Sequence, residues 1–294
     1  MIYSQDNGNL SKDELRTRGE QLEQLLQSAE CSEQDKQSAL MEYLHLLNTQ
    51  RAADVGVWFS ERMLERVSSA FAAHPTVDLA VDQLYACMLL QQFHQMYFDP
   101  WRAHPAIESC VNAMTLLEAE GRWSDCLRYC QNTAETYAEA RFWPEALKYA
   151  ERAHADVKEL LKQNVTVLEN GELLDLRDSA FTLCTYALRT ADGITDQMSA
   201  MLQADLGPEV FAAVMAEVQE AKEDDTLTDP VELTPEYLAI RYELEEKIDE
   251  ALEHERGYYE YCREYWMAKR MILRSDYGIH WKSPAALNPN ADIH

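Results

Sequence analysis

The sequence predicts an all-α protein in which antiparallel helical hairpins stack as an α-array, or solenoid, closed by a long C-terminal helix. Three observations carry this expectation. Gly and Pro number only nine each in 294 residues, too few turn formers for a strand-dense sandwich or barrel. Apolar residues make up 47% of the chain and aromatics 10%, enough to bury a substantial core. Along most of the length those apolar residues recur at spacings of three and four, the period of a helix face.

Taken in order, Ser11 and Glu14 form a capping box that opens the first helix, and Leu15, Leu22, Leu25 and Leu26 mark one face of it to about Ala29. Ser32 with Asp35 repeats the start signal, and Leu40, Leu44 and Leu47 carry a second stripe. A third helix over residues 55–73 turns Val57, Met63, Leu64, Val67 and Phe71 inward and stops before Pro75, because the residue preceding a proline avoids the helical region. A fourth runs from Val77 to Phe98 and closes at Asp99-Pro100. Helices are then expected over 105–120, 124–139 and 144–163, with short turns between them. The turn dipeptide Asn170-Gly171 leads into a helix over 172–191, followed by one helix ending at Gly207 and another opening at Pro208.

The stretch 224–233, DDTLTDPVEL, is acidic, contains proline and lacks any period, so it reads as a linker or flexible loop. Thr234 as cap and Pro235 at the first position open the last helix. Its stripe of Leu238, Tyr242, Ile248, Leu252, Tyr259, Cys262, Trp266 and Leu273 predicts a single rod to about Ser275, long for a globular helix. These readings divide the chain into a helical array at 1–163, a second helical part at 164–276 and an irregular tail at 277–294.

The chain carries 52 acids against 26 bases, a formal net charge of −26. Such a field repels phosphate backbones, so direct nucleic-acid binding is not expected, whereas a basic protein or peptide would be attracted. Residues 217–260 hold 16 acids and four bases, while the last 34 residues hold five bases and three acids. The N-terminal MIYSQDNGNL shows neither a basic nor an apolar leader region, and no run reaches the ~18 apolar residues of a membrane span. Seven scattered cysteines suit reduced thiols, so a cytoplasmic protein is expected.

One internal similarity stands out. The segments GRWSDCLRYCQNTA from Gly121 and RFWPEALKYAERA from Arg141 align on Trp123/Trp143, Leu127/Leu147 and Tyr129/Tyr149. In each, an aromatic at the turn precedes a helix with small residues, Cys126 and Cys130 in one, Ala146, Ala150 and Ala153 in the other. This arrangement resembles the tetratricopeptide repeat over about residues 105–163, with Tyr137, Ala146 and Ala153 matching one unit and Leu117, Gly121 and Cys126 approximating another. The offset of 20 residues departs from the family's repeat of about 34, and the proline that usually follows the second helix is missing. The resemblance implies a right-handed helical array with a concave face that binds peptides or proteins.

The residues of chemical interest are few. Two Glu-x-x-His motifs, Glu42 with His45 and Glu151 with His154, put two ligand types on one helix face, as carboxylate-bridged di-iron bundles do. They define the alternative of an iron-dependent helical oxidoreductase, against which stands a hydrogen-bonded core role for His154 on its apolar stripe. Asp224, Asp225 and Asp229 form a DDxxxD run that reads as a solvated loop, and Cys110, Cys126 and Cys130 lack a fourth zinc ligand at a usual spacing. No Gly-rich phosphate loop or nucleophile-elbow motif occurs. The expected function is a protein- or peptide-binding scaffold without catalysis or cofactor. Tyr258, Tyr261 and Tyr265, with Glu246, Glu250 and Glu253, form the candidate partner surface on the last helix. A further alternative is an acidic mimic of nucleic acid that occupies a basic partner.

Overall fold

The structure is a computed structural model and describes residues 10–168, 170–223, 227–252 and 261–289. The protein is all-α, with 78% of the described residues helical. Its contacts divide into two compact units, Met1–Asp125 and Cys126–His294.

The first unit begins with α1 (Lys12–Gln27), α2 (Glu33–Thr49), α3 (Ala53–Ala73) and α4 (Val77–Met96). The expected capping box is present: the Ser11 hydroxyl accepts from the Glu14 amide while Glu14 reaches back to the Ser11 amide at 2.7 Å. At the starts of α2 and α4 the Ser32 and Thr76 hydroxyls accept the Asp35 and Leu79 amides, without the reciprocal bond. The principal seam joins α3 to α4, and α1 and α2 pack on α3 and on each other. Close approach is possible at Gly56, where a β-carbon would fall 2.1 Å from the buried Phe93 ring. The helix expected over 105–120 is divided. A 3-10 turn (Pro100–Ala103) leads to α5 (His104–Ser109) and α6 (Val111–Ala119), with a break at Cys110. There the Cys110 amide bonds to the Ile107 carbonyl and the Ser109 hydroxyl takes the Ala106 carbonyl, so the turn tightens before the helix resumes.

Helix α7 (Trp123–Glu139) contains the division between the units. The second unit continues with α8 (Trp143–Lys162), α9 (Leu176–Ala187), α10 (Asp196–Leu206) and α11 (Pro208–Glu223). Helix α9 packs on α8, α10 and α11. It starts four residues later than the sequence predicts, because Asp175 caps it and the chain before it pairs Val167 with Leu173 in an isolated antiparallel bridge. A 3-10 turn (Pro230–Leu233) then precedes α12 (Pro235–Ala251), α13 (Tyr261–Asp276) and the short α14 (Pro284–Leu287).

The single C-terminal rod is corrected. The Tyr265 hydroxyl donates to Glu245 at 2.6 Å and Lys247 pairs with Asp276 at 2.9 Å, whereas in one continuous helix residues 20 and 29 apart would lie about 30 and 43 Å from each other. α12 and α13 are therefore two helices packed side by side around Tyr237, Leu244, Ile248, Leu273 and Trp281. At the centre of that cluster sits a buried Lys269, paired with Glu232 at 3.2 Å and facing the rings of Tyr237, Tyr265 and Trp281. Burial alone would lower its pKa, but Tyr265, Tyr237, Glu232 and Glu245 outweigh it and hold the ammonium above its ordinary range.

The aligned segments at Gly121 and Arg141 share a turn geometry. Both residues adopt left-handed φ, 69° and 59°, and the amides of Arg122 and Phe142 each bond back to the carbonyl five residues earlier, the Schellman closure of a helix. Leu127, Tyr129, Tyr149, Cys126, Cys130, Ala146, Ala150 and Ala153 are all buried. None of the described helices is long and apolar enough to cross a membrane.

Candidate functional site

One groove in the second unit lies among α7, α8 and α9. Small side chains along α7 and α8 let aromatic rings carry the contact: Tyr149 meets Tyr129 edge-on at 6.2 Å and stacks on Tyr137 at 5.9 Å. The Val167–Leu173 bridge folds the α8–α9 connection back, with the Leu168 amide bonded to the Glu172 carbonyl at 2.8 Å and the Leu174 amide to the Thr166 carbonyl at 2.9 Å. The result is a cavity of about 310 Å³. Its floor is apolar, formed by the buried Leu127, Ala134, Ala150, Ala153 and Val157. The exposed carboxylates of Glu135, Glu172, Asp175 and Asp178 stand around it, and Leu173, 75% exposed, projects at its mouth. Its lining contains no Lys, Arg or His.

Neighbouring groups register this concentration of negative charge. Burial and then the Glu135 carboxylate raise the pKa of Glu139, and burial, followed by Glu135, raises that of the Tyr186 hydroxyl at the groove wall. Such a site can accept an apolar side chain flanked by cations, since each added positive charge relieves repulsion among the acids.

His154 lies behind this site and is buried. Its Nδ1 is 2.8 Å from the Ser179 hydroxyl and its Nε2 is 3.2 Å from Asp205, which also pairs with Lys158 at 2.6 Å. Desolvation lowers the His154 pKa, opposed by Asp205. Burial would raise the pKa of Asp205, but Lys158 and His154 prevail and hold it low. The consistent state is a neutral imidazole whose Nε2–H donates to ionised Asp205 and whose Nδ1 faces the Ser179 hydroxyl. The residue types are those of a Ser-His-Asp triad, but the ring nitrogens are exchanged, with the hydroxyl on Nδ1 and the carboxylate on Nε2, and the Ser179 hydroxyl also donates to the Leu176 carbonyl at 2.9 Å. The charges nearest it in the groove lining, Asp175 and Asp178, oppose a developing oxyanion. The cluster ties α8, α9 and α10 together.

Glu42 and His45 are exposed on α2 in the first unit, and Glu151 lies at the surface of α8 in the second. His154 has oxygens at hydrogen-bond distance on both ring nitrogens. Among the described residues, no three His, Cys, Asp or Glu side chains converge as metal ligands. The seven cysteines are free thiols, and burial pushes Cys184 up to about 11.

Of the candidate partner surface, Glu246 and Glu250 are exposed on α12, while Tyr265 is turned inward with its hydroxyl on Glu245. Glu253, Tyr258 and the side chain of Tyr261 lie outside the described residues, as do Asp224 and Asp225 of the DDxxxD run. Asp229 accepts amides from Val231 and Lys282. Sequence reasoning missed Glu135, Glu172, Asp175 and Asp178 because they come from three separate segments; only the turn at Asn170-Gly171 hinted that two of those segments return on each other.

No family model, curated protein or solved structure matches the chain.

Proposed function

We propose that the protein is a protein- or peptide-binding helical-repeat scaffold without a catalytic role, and that the α7–α8–α9 groove holds a basic segment of its partner. One observation carries this reading: an apolar floor is surrounded by four carboxylates with no base in the lining. Charge of one sign around an apolar pocket selects a partner of the opposite sign that also offers a hydrophobic side chain. The repeated turn at Gly121 and Arg141 supports an array of tetratricopeptide-like hairpins, although the short offset distinguishes it from the usual repeat. The free thiols fit a reducing cytoplasm.

The test is fluorescence anisotropy with a labelled peptide that alternates Lys or Arg with Leu. The expected result is saturable binding that weakens when salt is raised from about 50 to 300 mM and falls at least tenfold in the Glu135→Lys/Asp178→Lys double variant. Both residues are exposed, so the fold tolerates the change. Absence of binding, or equal binding by the double variant, overturns the proposal.

A further inference from the structure

The C-terminal end of the second unit holds a second cavity of opposite character, of about 700 Å³. Its charged lining consists of Arg270, Arg274, His280 and Lys282 against the single acid Asp229, in a chain with a net charge of −26. Arg270 and Arg274 are four apart on α13, so their side chains leave one helix face with β-carbons about 5–6 Å apart. Both are exposed, and neither pairs with a carboxylate among the described residues. Asp229 is engaged elsewhere: its Oδ1 accepts the Val231 amide at 3.1 Å and its Oδ2 the Lys282 amide at 2.7 Å. It therefore fixes the backbone that carries Lys282.

The two walls share an anchor. Lys269, next to Arg270, pairs with Glu232, and Trp281, between His280 and Lys282, donates its indole N–H to the same Glu232 oxygen at 2.6 Å. One half-buried carboxylate thus sets the backbone beneath the basic groups before any ligand arrives, which reduces the ordering cost of binding. Exposed Met271, half-buried Ile279 and Leu287 add apolar surface beside the cations.

From this geometry we infer that the cavity binds a small organic phosphate. The guanidinium fork matches phosphate oxygens in pairs and holds a dianion more strongly than a monocarboxylate. The volume falls within the ~300–1,000 Å³ typical of small-molecule sites, well beyond what inorganic phosphate alone would fill. The apolar wall accommodates the organic body. This site is separate in residues and in charge from the acidic groove, so the two readings stand or fall independently.

Isothermal titration of the full chain with phenyl phosphate tests the inference, with inorganic phosphate, benzoate and a polyglutamate peptide as comparisons at matched ionic strength. Phenyl phosphate is expected to bind once per chain and at least tenfold more tightly than each comparison. Arg274→Gln is expected to weaken it several-fold, and Arg270→Glu/Arg274→Glu to abolish it, with circular dichroism and thermal unfolding unchanged. The Arg274→Gln arm keeps the test decisive if the charge reversals unfold the protein. Failure to bind phenyl phosphate, equal affinity for benzoate, tighter binding of polyglutamate, or undiminished binding by Arg274→Gln each overturns the inference.

Discussion

The α3–α4 seam and the α12–α13 pair join helices by opposite chemistry. The first closes through apolar contact, with Gly56 beneath the Phe93 ring and Val55, Phe59, Met63, Leu84 and Leu90 buried. The second also buries Leu244, Ile248 and Leu273, but encloses an ammonium, Lys269, with Glu232 and three aromatic rings. An apolar seam gains stability roughly in proportion to the area it removes from water. A buried ion pair adds little net stability when intact but is costly to break, because the remaining charge is left desolvated. The α12–α13 pair is therefore more sensitive to single substitutions than its hydrophobic content indicates, and its geometry is set by where charges can be satisfied.

The largest effect is expected at Lys269. Lys269→Met should destabilise the protein by about 3–5 kcal/mol by leaving Glu232 without its cation, measured by urea denaturation. Adding Glu232→Gln should restore part of the loss. A cost for the single variant no greater than that of an exposed lysine would remove the distinction between the two seams. On the apolar side, Gly56→Ala should cost about 1–3 kcal/mol through overpacking against Phe93. No second substitution of a charged group should rescue it, because that seam depends on shape.

The smallest effect concerns pH and extends the comparison to another buried cation-forming group, His154. The folded state holds the His154 pKa below its ordinary 6.5, so the unfolded chain takes up a proton first. Stability from this site is complete above about pH 6.5 and declines as the pH falls through that value towards the folded pKa, with a limiting slope of about 1.4 kcal/mol per pH unit for one proton. The depressed Asp205 pKa adds a second loss, starting near its ordinary value of 3.8 and continuing below it. Thermal unfolding between pH 7.5 and 5.5 should therefore show a falling midpoint in the native protein and a flatter dependence in His154→Gln. Parallel profiles would mean that His154 is not desolvated as described.

Much of the local architecture was legible before the structure. The Ser11–Glu14 box, the stop at Pro75 and the Thr234-Pro235 start depend on groups within about four residues of each other, and each is present. The inward face of His154 was also readable from its apolar neighbours. Its partners were not, since Ser179 and Asp205 lie 25 and 51 residues further along the chain. The repeated turn was half visible: Gly121 announces a left-handed residue, whereas Arg141 adopts the same conformation without a glycine's signal. The C-terminal stripe misled because an apolar period is equally compatible with one rod and with two helices packed on each other.

By itself, then, the amino-acid order determined that this protein is helical, where most helices begin, and which faces are buried, because period, caps and prolines act over one or two turns. Tertiary structure alone decided that α12 and α13 lie side by side, that four acids from three segments surround one groove, and that four basic groups gather at α13 and the segment after it. Charge has no period along a chain. Its effect depends on distance and on exclusion of water, and both are settled only when segments distant in sequence have packed.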